Sequence, residues 1–241
     1  MPSFRARTGH CHLGFEQLEV RLTMSASHGH FEPASAIVFD AAKKKHVGAS
    51  YPFGLSPDQT RAYYGFDQVS FGGVTADGVG QTIAIITAKN NPNLASDLAA
   101  FDRQFGLPDP PSLRVVNQLG GAKLPKNNKS WGSETALDVE WAHAIAPGAN
   151  ILVVEAKSAS LQNFMTAIDY ARHVPGVTVV SVSAAGDEFK QESIVDSIFQ
   201  TPPGHEGITF VFASGDEGGT AEYPSASPYV LSVGGTTIQG P

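Results

Sequence analysis

The chain has 241 residues, of which 16% are charged and 41% hydrophobic, and its net charge is −7. This is a globular composition; one Cys excludes a disulfide scaffold or a multi-cysteine zinc module, and no apolar run of about 18 residues is present to span a membrane. The acidic balance argues against a nucleic-acid partner, whose phosphates require a basic face.

Residues 1–50 carry six Lys or Arg against four acids, and five of the eight His; residues 51–241 carry ten against nineteen. The chain therefore divides into a tail, 1–50, without sustained apolar periodicity and expected to be disordered, and one domain, 51–241, long enough for a single core. In the tail, His10, Cys11 and His12, and then His28 and His30, are transition-metal ligand types. Their spacing matches no closed zinc pattern and Gly and Ser flank them, so the tail is read without a metal. Lys43-Lys44-Lys45 reads as a solvated charge run. Phe15–Leu22 (FEQLEVRL) resembles a leader found on exported proteins of some environmental bacteria, which implies an extracellular or cell-envelope location.

The domain opens with Gln81–Ala88, a β-branched apolar run that reads as a buried strand. Leu94, Leu98, Ala99, Phe101 and Phe105 follow near a helical period that Gly106 and Pro108 end. Leu113–Asn117 is a strand, and Glu134–Ala146 a helix with Ser133 as N-cap. Asn150–Ala156 is a strand, Leu161–His173 a helix, Val177–Ser183 a strand, Gln191–Gln200 a helix, and Gly207–Ser214 and Tyr229–Val233 strands. Apolar strands alternating with helices predict an α/β fold, a mostly parallel sheet with helices on both faces. Such sheets place sites at the carboxyl ends of strands, here Thr87, Glu155, Ser183 and Ser214 to Glu217. Nucleotide binding is excluded: Gly78-Val79-Gly80 precedes a strand instead of following one, and no phosphate-binding P-loop is present.

Glu134 and Asp138 are four residues apart, so they share a helix face, which Trp141 and Ile145 continue and are expected to bury. Two carboxyls that are partly buried relieve their repulsion by sharing one proton, which suits a general base in acid. From spacing alone, a solvated first-turn Glu134 and a surface Asp138 are the better fit. Glu140 points off this face and is expected in solvent. His143 and His173 lie near helix C-termini with no acid partner apparent. In the glycine-rich turn Ser214–Gly219, Asp216 fits a catalytic acid, a turn cap or a metal ligand.

Four ordered blocks over residues 55–241 carry a resemblance: Glu134–Glu140 with Ala146–Ala149, Ala213–Gly218, Tyr223–Val230, and Val233–Thr237. Together they resemble the sedolisins, serine-carboxyl peptidases with a subtilisin-like fold. The resemblance makes 51–241 the N-terminal part of a peptidase domain, incomplete at its C-terminus. It implies endopeptidase activity on polypeptide substrates at acidic pH, with Glu134 as general base, Asp138 orienting it and Asp216 stabilising the oxyanion. Thr87 stands where ordinary subtilisins carry an aspartate, and Ala184 where many sedolisins carry a tryptophan. Ser225 and Ser227 match a proline-flanked loop and not the nucleophile, whose Ser-Gly-Thr-Ser segment has no counterpart in these residues. The family's calcium site lies in the missing C-terminal part, so no cofactor is expected here. The expectation is a truncated, inactive peptidase with an uncovered sheet edge, and the alternative is a pseudo-peptidase or peptide-binding module.

Overall fold

The computed structural model describes residues 32–33, 55–216 and 218–236. The tail's His, Cys and Lys residues, its leader-like segment and Glu217 lie outside the described residues.

In chain order the elements are β1 (Glu32–Pro33), α1 (Pro57–Tyr64), β2 (Ser70–Phe71), β3 (Val74–Thr75), β4 (Thr82–Ala88), α2 (Leu94–Phe105), β5 (Leu113–Asn117) and α3 (Lys129–Ile145). Then come β6 (Asn150–Ala156), α4 (Leu161–Arg172), β7 (Val177–Val182), β8 (Ala184–Ala185), α5 (Glu192–Val195), β9 (Thr209–Ala213) and β10 (Leu231–Val233). Six strands form the main sheet in the order β10-β9-β7-β4-β6-β5, and every neighbouring pair is parallel. The expected parallel sheet with helices on both faces is the architecture found.

Side chains alternate across the sheet, which explains the uninterrupted apolar runs. Ala84, Ile86, Leu152 and Val154 pack with Phe164, Ala167 and Ile168 of α4 on one face. Ile85, Ile151 and Val153 pack with Leu94 and Leu98 of α2 and Val139 of α3 on the other. Each such buried side chain contributes roughly 1.5–3 kcal/mol of apolar burial. By the same alternation, Thr87 and Glu155, register partners at the ends of β4 and β6, face the α2–α3 side.

Helix α1, helix α5 and strand β10 are among the elements that depart from the sequence reading. Helix α1 lies where no element was expected, although Ser56-Pro57-Asp58-Gln59 forms a complete capping box with Pro at the helix start. Its Arg61 pairs with Asp67 and donates to the Ile145 carbonyl, capping the negative end of α3. The helix expected over 191–200 is the single turn α5 followed by a 3₁₀ turn at Asp196–Phe199. The last strand is confined to Leu231–Val233.

Candidate active site

Helix α3 starts at Lys129, so Ser133 is not its cap. Asn128 is the cap, its side chain accepting from the Trp131 amide at 3.0 Å. Tertiary contacts select this earlier start. Trp131 is buried and packs on Phe164, ring centroids 5.7 Å apart. Asn91 Nδ2 donates to the Gly132 carbonyl at 3.0 Å, and a Cβ on Gly132 would stand 3.5 Å from the Asn91 Cβ. Gly132 thus packs against the β4–α2 loop at ordinary contact distance. Ser133 instead lies exposed in the second turn and donates to the Lys129 carbonyl.

The earlier start decides the fate of Glu134. It is only 4% exposed, so the solvated first-turn alternative is overturned. Thr135, also buried, donates to the Trp131 carbonyl at 2.7 Å. Its oxygen lies 2.7 Å from the Thr87 hydroxyl. Thr135 has one proton and spends it on Trp131, so Thr87 is the donor between them. This bond pins the carboxylate-bearing turn to the end of β4.

Asp138, one turn further, is half-buried. The Ser183 hydroxyl, just past β7, donates to Asp138 Oδ1 at 2.6 Å. Burial first, then the charges of Asp138 and Asp216, push the Glu134 carboxyl well above the ordinary range. Burial raises Asp138 as well, opposed by the Ser183 hydrogen bond. Asp216, half-buried in the loop after β9, faces Glu134 closely enough for its charge to be felt there. The loop is tied down by Ser214, whose N–H donates to the Val233 carbonyl and whose carbonyl accepts from Glu222. Glu134, Asp138 and Asp216, far apart in sequence, therefore share one site at the carboxyl edge of the sheet. Such a cluster takes up a proton at a pH where separate carboxyls would have lost theirs.

Other expectations are corrected or refined. Glu140 is half-buried, not in solvent; burial and then Asp97 and Asp102 push it up to about 7. Trp141 and Ile145 are half-buried instead of buried. His143 does have an acid partner: its Nε2 lies 3.5 Å from Asp102 Oδ1, both side chains inside the protein, and 2.7 Å from the Pro108 carbonyl. His173 is exposed, its Nδ1 bonded to the Asp169 carbonyl. Ser225 and Ser227 are buried. Ala184 is buried beside Ser183. Glu155, fully buried at the end of β6, is pushed up to about 7 by desolvation, against the Asn91 amide. Ser183 and Glu155 were visible in the sequence as strand-end residues, without partners or roles.

Among the described residues no three His, Cys, Asp or Glu side chains gather as a metal-binding group. No helix of the described residues is long and apolar enough to cross a membrane.

Residues 121–240 match the model of the subtilase family of peptidases. The chain is 32% identical to kumamolisin of Bacillus sp. (strain MN-32) over 177 residues, 67% of this chain and 32% of that protein. It is 32% identical to dog (Canis lupus familiaris) tripeptidyl-peptidase 1 over 171 residues, 61% of this chain and 28% of that protein. The chain thus spans about a third of the length of these curated relatives. Among solved structures, it superposes with a TM-score of 0.57 and 25% identity on Pseudomonas sedolisin, a serine-carboxyl proteinase complexed with two molecules of pseudo-iodotyrostatin, over 68% of this chain and 51% of that one.

Proposed function

We propose, from the premise that this chain belongs to the sedolisin family and has its subtilisin-like α/β fold, that its carboxyl cluster is the acid–base machinery of a serine endopeptidase working on polypeptides at acidic pH. The observation that carries this reading is Glu134: a buried carboxyl paired with Asp138 on one helix face and facing the charge of Asp216. In this scheme Glu134 passes the proton it shares to Asp138 and takes the proton of the attacking serine hydroxyl as the oxygen bonds to the scissile carbonyl carbon. Protonated Asp216 donates a hydrogen bond to the oxyanion that forms. Glu134 then returns the proton to the leaving amine as the C–N bond breaks. Asp138 orients Glu134 throughout. No cofactor enters this scheme for these residues. The leader-like tail supports placing the protein outside the cytoplasm or in the cell envelope.

Residues 1–241 contain no Ser-Gly-Thr segment, so they supply the acid–base half of the reaction. We expect the 241-residue polypeptide to leave denatured protein uncleaved at acidic pH, because removing one member of a catalytic triad leaves only residual catalysis. The deciding test is the reading frame beyond codon 241. If it continues into Ser-Gly-Thr-Ser, the longer polypeptide should hydrolyse denatured protein in acid and lose that activity with Glu134→Gln. Retained activity in that variant would remove Glu134 from the chemistry.

One observation favours a second reading, a peptide-binding protein without catalysis. The backbone of Glu32–Pro33 pairs antiparallel with Ala185–Ala184, directly beyond Ser183, so an extended strand already lies along this edge. Saturable calorimetric binding of a denatured polypeptide, with the ligand recovered intact, would support that reading.

A further inference from the structure

We propose that Ser183 is the positioning residue of the carboxyl pair: its hydroxyl proton, given to Asp138 Oδ1, keeps the negative charge on Asp138 and leaves the shared proton on Glu134. This rests on the reading of Glu134 and Asp138 as the acid–base centre.

The bond is 2.6 Å long, within the range of a hydroxyl donating to an ionised carboxylate. A carboxylate that accepts a hydrogen bond holds its charge at lower pH. Ser183 bonds Asp138 and not Glu134, so it splits two otherwise similar groups. The surroundings act in the same direction. The charge of Asp216 bears on Glu134. The groups facing the pair are therefore Asp216 from the loop after β9, Ser183 from the β7–β8 junction, and the two acids themselves on α3. At the end of β4 the neighbouring residue is Thr87, which is neutral and engaged by Thr135.

Ser183 is itself held from both sides. Val182 and Ala184 are buried, and Gly186 exchanges two backbone hydrogen bonds with Tyr223, each 2.9 Å. The hydroxyl is aimed by strand geometry, which limits the rotamer entropy lost in making the bond.

The test is a carbon-13-detected titration of the Asp and Glu carboxyls in the 241-residue chain. In the unsubstituted chain Asp138 should ionise at lower pH than Glu134. Ser183→Ala should raise the Asp138 midpoint by about one pH unit, a tenfold gain in proton affinity. Ser183→Thr, which keeps the donor, should restore it. If Ser183→Ala does not fold, Ser183→Cys keeps the shape with a weak donor and should shift Asp138 in the same direction by less. An unmoved Asp138 midpoint in a folded variant overturns the proposal, as does a parent chain in which Glu134 ionises first. The titration needs no turnover. The expected shift together with inactivity of a longer polypeptide that carries Ser-Gly-Thr-Ser would therefore count against peptidase function alone, and activity of that longer polypeptide without the shift against Ser183 alone.

Discussion

The Thr87 hydroxyl donates to the Thr135 hydroxyl across 2.7 Å, joining the end of β4 to the helix turn that carries Glu134. The two ends of this bond are unequal, because Thr135 also donates to the Trp131 carbonyl. Thr87→Val leaves Thr135 with that partner and should cost about 1 kcal/mol. Thr135→Val strands the fully buried Thr87 hydroxyl without an acceptor, and should cost about 1–3 kcal/mol. Urea unfolding of both variants should rank them in that order, and the reverse ranking would assign the donor role to Thr135.

Stability should fall as pH rises from acid to neutral. Glu134, Asp138, Glu140 and Glu155 all hold protons more tightly in the folded chain than as free carboxyls. Between the unfolded and folded ionisation ranges the native state binds more protons, so raising the pH through that window favours unfolding. The window opens near the ordinary carboxyl range of about 4 and extends past the value of about 7 reached by Glu140 and Glu155. The urea midpoint should therefore be higher at about pH 4 than at about pH 8. Glu155→Gln, which keeps the shape and removes one titrating group, should flatten the decline. An identical pH profile in that variant would show that Glu155 is not a source of it.

His143 should matter more to folding than a lone helix-end histidine. It stands beside Asp102, whose oxygens find no hydrogen-bond donor among the described residues. His143→Leu would leave that carboxyl without its nearest partner and the Pro108 carbonyl without a donor, at about 1–3 kcal/mol. Adding Asp102→Leu should recover part of the loss. A double-mutant cycle with no coupling between the two positions would exclude the pair as a structural unit.

Gly215 should be intolerant of a side chain. Its φ is +100°, and a Cβ there would lie 2.7 Å from the carboxyl carbon of Glu222. Gly215→Ala should cost about 1 kcal/mol or more in backbone strain and displace the adjacent Asp216. With that charge moved, Glu134 should ionise at lower pH in a carboxyl-resolved titration. An unchanged Glu134 midpoint would mean that Asp216 holds its place without the glycine turn.

Leu231 and Val233 lie exposed on β10 at one edge of the main sheet, a surface suited to pairing with another strand. Ser232→Lys should reduce self-association, measured by sedimentation velocity, with little change in the unfolding midpoint. Equal association in both forms would place the contact elsewhere.

The parallel sheet was legible because its evidence is local. A run such as Asn150–Ala156 declares a strand buried on both faces, and the four-residue spacing of Glu134 and Asp138 places them on one face wherever the helix begins. The start of that helix was misread because Ser133 looks like a cap until Asn128 is seen taking the Trp131 amide. Glu140 was misread because its off-face position says nothing of the neighbouring acids of α2 that approach it.

Residue order alone thus determined the strands of the parallel sheet and which acids share a turn, since these follow from backbone periodicity and neighbours a few residues away. The tertiary structure alone decided that Ser183 meets Asp138, that Asp216 faces Glu134 and that Asp102 meets His143. The physical reason is that proton affinity depends on desolvation and on charges within a few ångströms. Those neighbours are assembled by sheet register across tens of residues of chain, a distance over which no sequence period carries information.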